Sequence, residues 1–527
     1  MVPSTGSTVI AGLLRPPPSV PVSRATVAYR ACSVQFWWRD LRSSALLDGV
    51  GMTGGHVFAV ADDLSGAAEV AAVLMSATRP ARIALAGPPY ASGPVVVVDL
   101  DGRHRTGEQA GDSVREALRH AGDRQLFLKV DSLLRGHIAA TAAAALRLPS
   151  VAGPPFAVFA PSLPAAGRTV AGGVPFVHGV PLRETRAWHA EPRAAPASVI
   201  EALGGLPSVL VPLSTVRAGH ATLAAALTAA AGRVAVCDAE TDADLDAVVA
   251  AALGGAGARL IGAGALAAAL GRALDPTPPA RTGNAVIPEA GVPERRIPEC
   301  RIPECRVPEC RVPECRVPEC RVPECRIPEV GVPEAGAPPP GTPLPAAAPS
   351  PVAVPLLVVV GTAEPGAAGQ VRLLVEHGAR AVQLTARDFA LPSGRRTAAR
   401  RVRDTLRAGP PPATVLTIEW REPEPPPPTL TRALGEIVRA ALEGGPADLV
   451  LTGGETARRV LDALGVRELA PVTQVHHGAV HSRTPEGRSV ITRPGSFGDR
   501  DSLLRMAAHL RPHLFATPAS ESHERMK

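Results

Sequence analysis

Short, almost uninterrupted apolar runs alternating with Ala-rich stretches constrain this chain more than any other feature of it. The first series reads VFAVAD (57–62), RIALAG (82–87), VVVVDL (95–100), LFLKVD (126–131), FAVFAP (156–161), SVLVPL (208–213), RVAVCD (233–238) and RLIGAG (259–264). A second follows at LLVVVG (356–361), AVQLTA (381–386), TVLTIE (414–419), DLVLTGG (448–454) and SVITRPG (489–495). Strands that are apolar along their whole length have both faces covered, so the pattern predicts an α/β fold with mainly parallel sheets and helices on either side. Two α/β domains are expected, 52–275 and 356–511, with the ligand cleft between them. Hydrophobic residues make up 46% of the chain but aromatics only 3%, so the cores must be filled by small aliphatic side chains.

Proline rules the segment between the two series, residues 276–355. From Ile287 to Gly336 run ten pentads of the form Ile/Val-Pro-Glu-x-x, six of them carrying Cys and then Arg. A proline every fifth residue removes backbone donors and pushes the residue before it out of the helical region. The segment is therefore expected to be a disordered, extended linker. Its cysteines, Cys300, Cys305, Cys310, Cys315, Cys320 and Cys325, recur more widely than the paired ligands of structural zinc sites, which favours an expanded linker over a metal module. Residues 1–51 show no sustained periodicity and no signal-peptide core, and are expected to be a disordered extension or a start-site artefact ahead of Met52. Residues 512–527 read as a polar tail.

The net charge of +6 comes from scattered arginines rather than a cationic run, which excludes a nucleic-acid footprint. No apolar run is long enough to predict a membrane span. Outside the pentads only Cys32 and Cys237 remain, too few for a disulfide framework, and a cytoplasmic protein is expected. Lysine carries a sharper signal, because the 55 basic residues include only Lys129 and Lys527.

Candidate chemistry gathers at predicted strand ends. Asp62-Asp63-Leu64-Ser65-Gly66 follows the first strand, where two carboxylates suit proton abstraction or metal binding, although either could cap the next helix instead. Lys129-Val130-Asp131-Ser132-Leu133-Leu134-Arg135-Gly136 ends another strand and holds the one internal lysine, where a compact ammonium is evidently wanted. The loop Pro164-Ala165-Ala166-Gly167-Arg168-Thr169 offers an arginine for bidentate capture of a carboxylate. Gly453-Gly454-Glu455-Thr456 and Gly495-Ser496-Phe497-Gly498 each follow a strand of the second series, and a pair of such loops in one small sheet points to phosphate oxygens at helix N-termini.

In this order, DDLSG, KVDSLLRG, PAAGRT, GAGAL (262–266), GGET and RPGSFG resemble the four-carbon acid sugar kinase family across both predicted domains. Three positions depart from the usual pattern: Ala263 in place of serine, Leu133 in place of threonine and Arg493 in place of lysine. The resemblance implies a first domain that binds a sugar acid, a second that binds ATP, and transfer of phosphate to a terminal hydroxyl with Mg²⁺ bridging the nucleotide phosphates. It further implies catalytic roles for Asp62, Asp63 and Lys129. Ser65, Gly66, Asp131, Ser132, Arg135, Gly167, Arg168 and Thr169 would then bind the acid, and Ala263, Gly264, Gly453, Gly454, Glu455, Thr456, Gly495 and Gly498 the nucleotide. Threonate, erythronate and 3-oxotetronate all remain open as substrates. The expected partners are small molecules rather than nucleic acid or membrane, with a homodimer as the expected assembly. Two alternatives stand beside this reading: an NAD(P)-dependent oxidoreductase of a small hydroxy acid, which should carry G-x-G-x-x-G where DDLSG stands, and a non-catalytic scaffold centred on the pentads.

Overall fold

The computed structural model describes residues 55–90, 92–148, 156–188, 191, 193–254, 258–275, 354–361, 365–409, 413–419, 428–495 and 497–515. The expectations for residues 1–51, for the pentads and for the tail beyond 515 lie outside the described residues. The described parts of 1–275 and 355–527 form one compact unit.

The first half supplies strands β1 (Val57–Ala61), β2 (Ala81–Ala84), β3 (Val95–Asp99), β4 (Gln125–Lys129), β5 (Phe156–Ala160), β6 (Arg168–Ala171), β7 (Val174–Val177), β8 (Val180–Pro181), β9 (Ser208–Val211), β10 (Val234–Cys237) and β11 (Ala258–Gly262), of which β6, β7 and β8 lie outside the predicted runs. The second half supplies β12 (Leu356–Val360), β13 (Arg380–Leu384), β14 (Thr414–Ile418), β15 (Asp448–Thr452), β16 (Glu468–His476), β17 (Ala479–Arg483) and β18 (Ser489–Arg493), of which β16 and β17 lie outside the predicted runs. Fifteen strands form one sheet, ordered β13-β14-β12-β15-β18-β17-β16-β2-β3-β1-β4-β11-β5-β10-β9. The run from β2 to β9 is parallel throughout, as is the run from β13 to β18.

The two parallel blocks are joined by antiparallel pairing that the apolar runs did not announce. β18 pairs with β17, β17 with β16, and β16 with β2 through Glu468–Ala84 and Leu469–Ile83. β16 reads ELAPVTQVH, with polar residues and a proline interrupting its apolar ones and register shifts along its pairing with β17. A strand of that kind lies outside a search for continuous apolar runs. β6, β7 and β8 form a separate small antiparallel sheet that carries the Gly167–Thr169 loop.

The helix Leu64–Leu74 is the central packing element and is buried along most of its length. It lies against the helices Gly264–Leu274 and Gly454–Ala463, one from each half. Close approach to the first depends on Gly264 and Gly271, which share a helix face. A Cβ at Gly271 would overlap the Val73 carbonyl, and one at Gly264 would overlap the Glu69 carboxylate. One apolar cluster spans the joint and includes Ile83, Leu266, Leu449, Leu469 and Val480, each fully buried. Burial of such side chains contributes about 1.5–3 kcal/mol apiece, so the halves share a core as well as a sheet edge. No helix among the described residues is long and apolar enough to cross a membrane.

Candidate active site

β1 lies between β3 and β4, so the direction in which strands are added to the sheet reverses beside it, and ligands of α/β sheets bind beyond the carboxyl ends of the strands at such a point. Ala61 pairs level with Asp99 of β3 and Lys129 of β4, so the segments starting at Asp62, Leu100 and Val130 leave the sheet side by side.

The two adjacent aspartates divide their work. Asp63 caps the helix Leu64–Leu74, accepting from the Gly66 amide at 2.6 Å. Asp62 accepts from Arg103 Nε at 2.9 Å through Oδ2, while its buried Oδ1 has no partner. Desolvation pushes the Asp62 carboxyl up against the pull of Arg103, and the neighbouring Asp63 charge pushes the same way. Arg103 also meets Asp63 Oδ2 at 2.9 Å and Asp131 Oδ1 at 3.7 Å, so one guanidinium ties three carboxylates together. Burial would lower its pKa, but Asp62 and Asp63 hold it well above the usual value.

Asp131 is fully committed. It accepts from the amides of Leu133 (3.1 Å) and Arg135 (3.3 Å), and from the Arg135 guanidinium by two bonds of 2.8 Å. Burial would raise its carboxyl, yet the bonds and charge of Arg135, with Arg103 and Lys129 behind them, hold it far below the carboxylate range. Lys129 is 7% exposed; Nζ donates to the Val130 carbonyl at 3.1 Å and lies 3.6 Å from Glu69 Oε2. Gly66 leaves room for it, since a Cβ there would stand 3.2 Å from Nζ. Ser65 Oγ, beside them, is buried without a partner.

Arg168 is different. Nη1 donates to Ser132 Oγ at 2.6 Å and the guanidinium lies 5.8 Å from the Phe497 ring centroid, but no carboxylate among the described residues pairs with it. Gly167 delivers it from a turn at φ +64°, where a Cβ would collide with the His178 ring. Thr169 continues into β6, paired with Phe176.

From the second half, Gly453 leaves β15 at φ +87° and the helix Gly454–Ala463 begins at once. A Cβ on Gly454 would lie 3.0 Å from Ser65 Oγ and 3.1 Å from Asp63 Oδ2, which brings this loop against the aspartate pair. Glu455 accepts from Thr431 Oγ1 at 2.8 Å and lies 3.0 Å from His104 Nε2, while Thr456 fills the space beside Gly361. After β18, Gly495 and Gly498 bracket Phe497, whose ring stacks on His477 at 5.4 Å. Gly498, at φ +93°, lies against Ser502 and Arg493. Arg493 is completely buried, donates to the Phe497 carbonyl and to Ser502 Oγ (3.0 Å), and leaves Nε and Nη2 without partners. Burial pushes it down to about 10. Ala263 and Gly264 are the outlying pair: both are buried, with Gly264 packed on Glu69 behind Lys129.

Motif reading missed Arg103, Glu69 and Phe497. Arg103 lies four residues beyond a strand end, the position that flagged the other candidates, but an arginine is inconspicuous in a chain with 53 of them. Among the described residues the assembled site has three cations matched to carboxylates, two that are not (Arg168 at its edge and the buried Arg493), a raised carboxyl with a free oxygen, and two glycine loops.

Comparison with known proteins agrees with this geometry. Residues 57–270 match the model of a sugar-binding N-terminal domain and residues 357–503 that of a nucleotide-binding C-terminal domain. A D-threonate kinase of Cupriavidus necator is 32% identical over 474 residues, spanning 84% of this chain and 95% of that protein. A D-threonate kinase of Bordetella bronchiseptica is 29% identical over 487 residues, spanning 88% and 100%. A solved structure from Salmonella typhimurium LT2 shares the fold with a TM-score of 0.62 at 19% identity, covering 86% of this chain and 98% of its own. Haemophilus influenzae protein HI1011 does so at 0.55 and 17%, covering 87% and 100%. With both domain models matched in order and relatives similar over most of its length, this chain is a sugar-acid kinase and belongs to the four-carbon acid sugar kinase family.

Proposed function

We propose that the chain transfers the terminal phosphoryl group of ATP to a terminal hydroxyl of a four-carbon sugar acid, with D-threonate the first candidate because the curated relatives act on it. The observation that carries this reading is the unmatched guanidinium of Arg168, at the edge of a site where Arg103, Lys129 and Arg135 already face carboxylates. A substrate carboxylate supplies the missing partner, and Ser132 orients the guanidinium for it. Asp62 is the group that accepts the hydroxyl proton: its Oδ1 is free and its carboxyl is raised, whereas Asp63 is occupied as a cap. Arg103 holds Asp62 in place, and Lys129 sets a positive charge beside it.

The loops Gly453–Thr456 and Gly495–Gly498 offer backbone amides and a helix N-terminus to the nucleotide phosphates. The free oxygens of Asp62 and Ser65 suit a hard cation, and no group of three or more His, Cys, Asp or Glu among the described residues is placed to cage one. Mg²⁺ bound chiefly through the phosphates fits that donor set and would neutralise developing charge. A reducing cytoplasm suits Cys237, a buried free thiol.

The test is ATP consumption with Mg²⁺ over D-threonate, L-threonate, D-erythronate and 3-oxotetronate, with Arg168→Met in parallel. One acid should be turned over, and Arg168→Met should raise its KM about a hundredfold, consistent with the loss of a charge-assisted bidentate contact, while ADP affinity holds. Absence of turnover with every acid, or an unchanged KM in the variant, overturns the assignment.

A further inference from the structure

The loop that follows β3 makes contacts in two directions. Its first residues face the nucleotide half: Arg458 donates to Asp99 Oδ2 at 2.9 Å, to the Asp99 carbonyl at 3.3 Å and to the Leu85 carbonyl at 2.6 Å, and Arg459 meets Asp101 Oδ2 at 2.7 Å. Further along it, Arg103 faces the sugar-acid half, where it grips Asp62, Asp63 and Asp131. The loop is stiff between these ends. Asp101 N donates to Asp99 Oδ1 at 3.0 Å, Leu100 N donates to the Ala61 carbonyl and Gly102 N to the Asp62 carbonyl, each at 2.9 Å. Asp101 itself is held at φ +47°, a conformation that a non-glycine residue adopts only when its surroundings impose it.

Arg458 and Arg459 lie on the helix Gly454–Ala463, whose first residue abuts Asp63 and Ser65. We propose that residues 99–103 form a brace that sets the position of the Gly453–Gly454 loop relative to Asp62, with Asp99, Asp101, Arg458 and Arg459 acting as positioning residues for phosphoryl transfer. The inference rests on the assignment of these two segments to the transfer site. Transfer between two bound groups depends on their alignment more than on the affinity of either, so loosening the brace should act on turnover. None of the four residues is needed to contact the acid or the nucleotide.

Asp101→Asn and Arg459→Met test this, since these two side chains are half-buried whereas Asp99 is buried, and asparagine tolerates the left-handed conformation. Each folded variant should lose about tenfold in kcat with both KM values within about twofold. Arg459→Lys, which keeps a cation opposite Asp101, should retain most of the turnover. Turnover within about twofold of wild type in the folded single variants, or a raised KM with kcat intact, overturns the brace. Amide hydrogen exchange across residues 453–456 gives a readout independent of substrate: exchange should quicken in Asp101→Asn and stay near wild type in Arg459→Lys, and unchanged exchange in Asp101→Asn counts against the brace. If wild type turns over none of the acids, the functional assignment fails while hydrogen exchange still decides the brace.

Discussion

Lys129 sits in a compartment that a guanidinium does not fit. Its ammonium is enclosed by the Val130 carbonyl, the Glu69 carboxylate and the bare face of Gly66, with 7% exposure. A planar fork needs more width and would displace Glu69, which is itself pinned against Gly264. Lys129→Arg should therefore lower kcat/KM about a hundredfold, or about 2.7 kcal/mol of transition-state stabilisation. The comparison is made at matched stability, checked by thermal melts, and near-wild-type turnover in a folded variant would remove Lys129 from the reacting groups. Composition made this residue legible, because one internal lysine among 53 arginines is conspicuous. The same composition hid Arg103, whose importance lies in touching the adjacent Asp62 and Asp63 together with Asp131, all distant from it in sequence. Motif order pointed to Asp62 and Asp63 together, and only the cap geometry tells them apart.

At the scale of elements, strands buried on both faces were readable from sequence because their environment leaves one kind of residue on both sides. β16 and β17 were not, since β16 is unevenly buried, β17 buries His481 and Ser482 among its apolar residues, and the two pair antiparallel with register shifts. β17 carries one histidine, and the helix Ser502–Leu510 its partner, of a pair that makes the second half sensitive to acid. His481 Nδ1 lies 3.1 Å from His509 Nε2, its own Nε2 is buried without a partner, and burial, reinforced by His509 and Arg483, pushes its pKa down to about 4. The unfolded chain, with histidine near about 6.5, binds the proton first, so stability is complete above that pH and falls as pH drops towards about 4. Thermal melts of wild type should show this loss between those limits, and His481→Gln should show less of it. Parallel melting curves for the two proteins would place the acid sensitivity elsewhere.

The whole molecule combines a shared sheet and core with a long excursion of chain. Asp275 and Pro355 both belong to the compact unit, and the chain between them is the segment whose proline period reads as a linker. What sequence could not supply was the joint itself: Leu469 and Ile83 meet across β16 and β2, and Arg458 and Arg459 reach Asp99 and Asp101, through contacts separated by hundreds of residues. Those contacts join the halves within the described residues. Deleting residues 287–336 removes every Ile/Val-Pro-Glu repeat and leaves 29 residues between Asp275 and Pro355. A flexible chain of that length has a root-mean-square span of about 30 Å, and its extended limit is about three times larger. The shortened chain should therefore fold with an unchanged melting temperature and keep kcat and KM for its acid within about twofold of the full chain. Steady-state kinetics and thermal melts on the deletion variant check this together. A variant that melts as a single unit yet loses turnover would show that the pentads take part in the reaction, and would return the repeat-centred alternative to consideration.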